Sequence, residues 1–138
     1  MKVSSRGEYG LRALYDLAEH YNEGTIPSSD IATRQHIPQN YLNQLLIVLR
    51  RSGLIESERG RNGGHRLARP PHKITLSEAV RALDGTTAPV ECIEDVASCD
   101  DHCAYCNVWR EVQSATDNVL DKKTLADVTH TRHIKRSK

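Results

Sequence analysis

The sequence has no phenylalanine and only one tryptophan. Leucine, valine, isoleucine and tyrosine must therefore build the core, which at 38% apolar residues is thin for a chain of 138. Domains of this size gain burial by pairing. No run approaches the roughly 20 apolar residues that cross a bilayer, so no membrane span is expected. The stretch Met1 to Glu8 lacks the apolar segment of a signal peptide and leads directly into helical periodicity, which points to a cytoplasmic protein. Catalytic signatures are absent too. There is no nucleophile elbow, phosphate loop or HExxH pair, and the glycine-rich stretch Gly60–Gly64 lies between two strand-like segments, where a dinucleotide fingerprint would need a following helix. The chain is not expected to be an enzyme.

Charge is nearly balanced overall, at +1, but it is unevenly placed. Between Arg34 and Lys73 stand eight basic side chains against Glu56 and Glu58, whereas Glu91 to Asp101 holds five acidic and no basic ones. A basic block of this kind suits a polyanion.

Periodicity organises the first half of the chain. Leu11, Leu14, Tyr15, Ala18 and Tyr21 share one helical stripe. Ser28-Ser29-Asp30 is expected to cap a short second helix, and Pro38 to sit in the first turn of a third. That third helix, about Gln39 to Arg51, turns Leu42, Leu45, Leu46 and Leu49 inward and leaves Gln39, Asn40, Asn43, Gln44 and Arg50 outward. Two helices joined by a tight turn, the second with an amide-rich outer face, read as a helix-turn-helix. Gly53 closes the helix, and Leu54–Arg59 and His65–Arg69 flank a tip of glycine and arginine. A basic hairpin directly after a recognition helix is the wing of a winged helix, and arginine at its tip suits the minor groove. Double-stranded DNA is the expected partner. Asn40, Asn43 and Gln44 are candidates to read base edges, with Gln39 and Tyr41 beside them, and Arg59, Arg61 and Asn62 contact DNA from the wing.

A further helix runs from Ser77 to Asp84, and helical order returns from about Cys103 to Asp121. In that last helix Val108, Val112, Ala115 and Val119 follow a heptad-like spacing and form the expected dimer seam. The expected fold is mainly α with a small β-hairpin wing. Its parts are a winged helix-turn-helix domain over 1–85, a cysteine loop over 86–106, a long dimerisation helix within 103–128 and a basic tail over 129–138.

Cys92, Cys99, Cys103 and Cys106 fall within fifteen residues. In a reducing compartment such a group favours metal or redox chemistry over disulfides. Four thiolates can close an iron–sulfur cluster or a tetrahedral zinc site, and their spacing leaves both open. A metal-free thiol switch and an electron-transfer iron–sulfur protein use the same cysteines, but the second has no need of a basic wing.

The residues Tyr9-Gly10-Leu11-Arg12-Ala13-Leu14, Tyr41-Leu42, Gln44-Leu45, Leu49-Arg50, Ser52-Gly53-Leu54, Arg59-Gly60, Gly63-Gly64, Leu67-Ala68, Ile74-Thr75-Leu76 and Trp109-Arg110 occur in the order seen in the IscR/NsrR-type (Rrf-two) family of winged helix-turn-helix transcriptional regulators, which the chain resembles to about Val128. His65 departs from that pattern, which has tyrosine there, and is expected to alter wing packing. The resemblance implies a homodimer with crossed C-terminal helices, binding to imperfect palindromes, and repression. It also favours an iron–sulfur cluster, 2Fe–2S before 4Fe–4S, over zinc. Familiar members use three cysteines plus a histidine or an acidic ligand. Counted from Trp109, Cys103 takes the third cysteine position and Cys106 the histidine position, giving an all-thiolate set, while Glu8 stands at the acidic position and His102 is a further candidate. Cluster state is then expected to set the separation of the two recognition helices. The signal, whether iron, redox state or nitric oxide, is not written in the sequence.

Overall fold

The computed structural model describes residues 2–89 and 104–129. Helix α1 (Ser5–Glu19) begins at Ser4, whose hydroxyl accepts a hydrogen bond from the Gly7 amide at 3.0 Å. Its buried face is wider than a single stripe, with Ala13, Leu14, Tyr15, Leu17 and Ala18 all inside, while Leu11 and Tyr21 are only partly covered. Helix α2 (Ser28–Gln35) starts directly after Pro27 with no side-chain cap. The expected Ser28-Ser29-Asp30 cap is therefore not the one used. Pro27 already has extended dihedrals, its carbonyl receives the Asp30 and Ile31 amides, and Ser28 is left to accept from Gln39 Nε2 at 3.0 Å. His36 ends α2 in the left-handed region (φ 54°), and Pro38 precedes α3 (Gln39–Arg51) by one position. Leu42, Leu45, Leu46 and Leu49 are buried as the pattern requires.

Gly53 adopts φ 79°, allowing the Leu54 amide to reach back to the Leu49 carbonyl at 3.1 Å and the chain to enter β1 (Ile55–Glu58). Strand β1 pairs antiparallel with β2 (Gly64–Leu67), placing Ile55 opposite Leu67 and Ser57 opposite His65. Alternation puts these four on one face and Glu56, Glu58 and Arg66 on the other. Leu54 and Ile55 are both buried because the strand proper starts only at Ile55, which accounts for the imperfect alternation of the sequence. His65 also exchanges both backbone hydrogen bonds with Ile26, each 2.8 Å, so the segment before α2 acts as a third, one-residue strand. Gly64 permits this approach, since a Cβ there would overlap the Ile26 carbonyl.

Helix α4 (Leu76–Asp84) opens with a capping box in which Thr75 and Glu78 each bond the other's backbone amide at 3.1 Å. It packs on α1 where Gly10 has no side chain, because a Cβ there would fall inside the side chain of Leu83. The long helix α5 (Cys106–Lys122) follows the undescribed segment. The segment expected as one helix within 103–128 breaks at Lys123, whose backbone is extended. Thr124 and Asp127 cap a last helical turn over 125–129, and Leu125 returns to the main core, 2% exposed, with its amide on the Ile74 carbonyl. The tail beyond Thr129 lies outside the described residues.

Among the described residues, Asp16 is the charged side chain within the core. Asp16 is fully buried on α1 and accepts two bonds from Arg34 (2.9 and 2.8 Å) and one from Gln35 (3.1 Å), both on α2. Removing one partner of such a pair leaves an uncompensated buried carboxylate. Arg34→Ala should lower the unfolding free energy by about 2–4 kcal/mol, Gln35 retaining part of the carboxylate's solvation. Urea denaturation with an unchanged slope would report it as a loss of midpoint.

Candidate nucleic-acid interface

The amide-rich face of α3 is solvent-exposed at Gln39, Asn40, Asn43 and Gln44. These side chains are not equivalent. Gln39 Nε2 donates both to Ser28 Oγ and to Asn43 Oδ1, each at 3.0 Å, so Gln39 fixes the orientation of Asn43 and leaves the Asn43 amide nitrogen free to point outward. Tyr41 faces the other way, half-buried with its ring edge-to-face on Tyr9 at 5.6 Å, and Arg12 stacks over Tyr9 at 5.1 Å. Tyr41 thus braces α3 against α1.

At the wing, Arg59, Arg61 and Asn62 are exposed around the turn, which Gly60 (φ 111°) makes possible. Thr25 donates to the Asn62 carbonyl at 3.0 Å, tying the tip to the segment that precedes α2. The basic block divides into two sets. Arg34 is held by Asp16, Arg66 by Glu56 (3.1 Å) and Glu58 (2.8 Å), and Arg69 by Glu78 (3.3 Å). Arg50, Arg51, Arg59, Arg61 and Lys73 have no acidic partner among the described residues, and the first four extend from the end of α3 to the wing tip.

His65, on the inner face of the wing, was not among the expected DNA-facing residues. Its Nδ1 lies 2.7 Å from Ser57 Oγ. Burial, and secondarily the positive charge of Arg50, pushes its pKa below the usual histidine value. The signal for it was present in the sequence only as a cross-strand pairing, Ser57 with His65, which requires the hairpin register to be known.

Of the four cysteines only Cys106 lies within the described residues; Cys92, Cys99, Cys103 and His102 fall outside them. Cys106 is buried at the first position of α5, 8% exposed. The helix N-terminus favours a thiolate at that position, whereas burial disfavours the charged form unless a positive centre faces it. Among the described residues no three His, Cys, Asp or Glu side chains are grouped as a metal site. Glu8 is exposed and paired with Arg12 at 2.9 Å, so its carboxylate already has a cationic partner.

Helix α5 contacts the rest of the molecule on one side. Asp117 accepts from Thr87 Oγ1 at 2.6 Å and pairs with Arg81 of α4 at 3.3 Å. On the other side Val108, Val112, Ala115 and Val119 are exposed, at 49%, 36% and 57% for the three valines. No described helix is long and apolar enough to cross a membrane.

Residues 3–131 match the Rrf2 family, described as iron-dependent transcriptional regulators. The chain is 37% identical over 128 residues to the HTH-type transcriptional regulator CymR of Bacillus subtilis strain 168, covering 93% of this chain and 89% of CymR. The solved structure of CymR (YrzC), the global cysteine regulator of B. subtilis, superposes with a TM-score of 0.81 at 35% identity, over 95% of this chain and 98% of that one. T. potens IscR gives 0.79 at 38% identity, over 96% and 88%. A helix-turn-helix with a basic wing, matched along nearly its whole length by these regulators, places the chain in the Rrf2 family of transcriptional regulators.

Proposed function

We propose that this chain is a homodimeric, cytoplasmic repressor that binds an imperfect DNA palindrome and is governed by a cysteine-held iron–sulfur cluster. The observation that carries the DNA reading is the set of four arginines, Arg50, Arg51, Arg59 and Arg61, that have no acidic partner among the described residues and lie from the end of α3 to the wing tip, beside the exposed amides of α3. Asn40, Asn43 and Gln44 read base edges in the major groove, and Arg59 and Arg61, followed by Asn62, anchor the wing on phosphates or in the minor groove. The division into a winged domain over 1–85, a cysteine loop over 86–106 and a dimerisation segment within 103–128 follows from the same reading. Asn43→Ala should relax base preference at one position per half-site at a cost of about 1–3 kcal/mol, whereas Arg59→Ala should weaken binding to all duplexes and flatten its salt dependence. Titration of both variants against the selected operator and a scrambled duplex at two salt concentrations checks this division. Equal losses on both DNAs would overturn it.

The cluster reading is supported by four thiols within fifteen residues, with Cys106 buried at the start of α5. Cys92, Cys99, Cys103 and Cys106 would hold the group, which supplies a site sensitive to iron supply, redox state or nitric oxide. The Arg12 pairing of Glu8 favours the all-thiolate set over Glu8 as fourth ligand. Anaerobically prepared protein should carry iron and acid-labile sulfide, and replacing Cys92, Cys99 or Cys103 by alanine should remove both. Stoichiometric zinc without sulfide would replace this reading by a zinc regulator. Protein free of both metals would favour a thiol-based regulator.

Dimerisation is supported by the uncovered seam of Val108, Val112, Ala115 and Val119. Val112→Asp would place an unpaired carboxylate in that seam. Sedimentation should then show monomer or aggregate, against a wild-type dimer at micromolar concentration.

A further inference from the structure

Between α3 and the wing lies a cleft of about 210 Å³. Leu46 and Ile47 supply its apolar lining, and Asn43, Arg50, Ser57 and His65 its polar groups. With α3 in the major groove and the wing in an adjacent groove, as the DNA reading has it, the DNA strand between the two grooves would run along this position. A phosphodiester there meets the Arg50 guanidinium, which has no acidic partner among the described residues, and the His65 imidazole, whose ring Ser57 holds.

We propose that this cleft seats a backbone phosphate of duplex DNA between Arg50 and His65, and that DNA binding is accompanied by protonation of His65. The inference rests on the DNA-binding reading and extends it to residues that no base contact would require.

The geometry favours both halves of the proposal. The His65 backbone is fixed by two hydrogen bonds to Ile26, and its ring by Ser57, so the imidazole has little freedom to leave the cleft. A serine hydroxyl both donates and accepts. Ser57 can therefore donate to a neutral Nδ1 or accept from a protonated one, and the contact survives either state. Protonation then leaves the second ring N–H available to the phosphate.

The charges around the ring are few. From α3 Arg50 faces it, with the uncharged Asn43; from β1 Ser57; and from the segment before α2 the Ile26 backbone. Glu56, Glu58 and Arg66 lie on the opposite face of the hairpin, engaged with one another. In the free protein burial and then Arg50 disfavour the imidazolium. A phosphate monoanion between Arg50 and His65 cancels that repulsion and favours it. The sign follows: protons are taken up on binding, so affinity is greatest at low pH and falls as pH rises from the depressed free value through the raised bound value. Each unit by which the phosphate raises the His65 pKa corresponds to about ten-fold in affinity per protomer.

A phosphate contact is independent of base sequence, so a mixed-sequence duplex of about 30 base pairs at low salt serves as probe. Its binding would be measured from about pH 5.5 to pH 8 for the native chain and for His65→Asn, which keeps a polar partner for Ser57 but does not titrate. The native affinity should fall by about ten-fold or more over that range, and His65→Asn should flatten the profile, any slope from the other ionisable groups being common to both. The His65 imidazole resonances of the native chain, titrated free and with the duplex, should show a higher midpoint in the complex. That second measurement decides the matter if the variant folds poorly. Parallel profiles, or an unchanged midpoint on a chain that does hold duplex DNA, would overturn the phosphate seat and leave the DNA reading intact. No retention of duplex by the native chain at any pH would overturn both.

Discussion

Asp16 has no exposed surface and no apolar justification for its place in the core, yet the orientation of the whole helix-turn-helix depends on it. An isolated carboxylate in that position would be strongly disfavoured. It is stabilised because Arg34 approaches with two parallel N–H donors and Gln35 with a third. Both partners lie in the last turn of α2, so the carboxylate can be satisfied at only one rotation and one height of α2 against α1. Apolar contacts would tolerate sliding; a three-point hydrogen-bonded charge does not. From that fixed point the chain turns at His36 and enters α3, whose exposed amide face is thereby aimed.

A second constraint fixes the wing relative to α3. The reciprocal bonds between His65 and Ile26 bind the hairpin to the segment that leads into α2, and Thr25 holds the tip through the Asn62 carbonyl. The loop before α2 thus touches the wing, while the last turn of α2 touches Asp16. Recognition helix and wing are positioned from the same short helix. This explains why a two-stranded hairpin, which alone is marginal in water, can present Arg59 and Arg61 at a defined place.

Much of this is legible in the sequence. The leucines at 42, 45, 46 and 49 fix α3 and its inward face, and Gly53 with the glycines of the tip marks the hairpin, because each signal is local and periodic. The wider buried face of α1 was less so: Ala13 and Leu17 lie beside the expected stripe, and they are buried because α2, α3 and α4 all pack on that helix. The partition of the basic block was not legible at all. Arg34, Arg66 and Arg69 look like Arg50 and Arg59 in sequence, but the first three are paired with carboxylates, whereas the other two have no acidic partner among the described residues. The return of Leu125 to the core was signalled locally by Thr124-Leu125-Ala126-Asp127, a capping pattern inside what otherwise continues a helical period. Of the expected thiolate set, only Cys106 lies where the structure speaks to it.

The attachments of α5 bear on how a signal at the cysteines would reach DNA. Near its middle, Asp117 joins Arg81 of α4 and Thr87, a residue 2% exposed. Past its end, Leu125 is anchored beside Ile74, and the Leu76 amide at the start of α4 bonds the Lys123 carbonyl at 2.9 Å. Helix α4 is thus gripped by α5 near both of its ends, and through Leu83 over Gly10 it rests directly on α1. Because Leu83 lies over a position with no side chain, the two helices approach too closely to slide without overlap. On the proposed reading, a change in the cysteine segment, which joins Thr87 to Cys106 along the chain, acts on a lever whose fulcrum is Asp117. A displacement of α5 would then pass to α4 and α1 through these contacts, and in the proposed dimer it would alter the separation of the two winged domains while leaving each recognition surface intact.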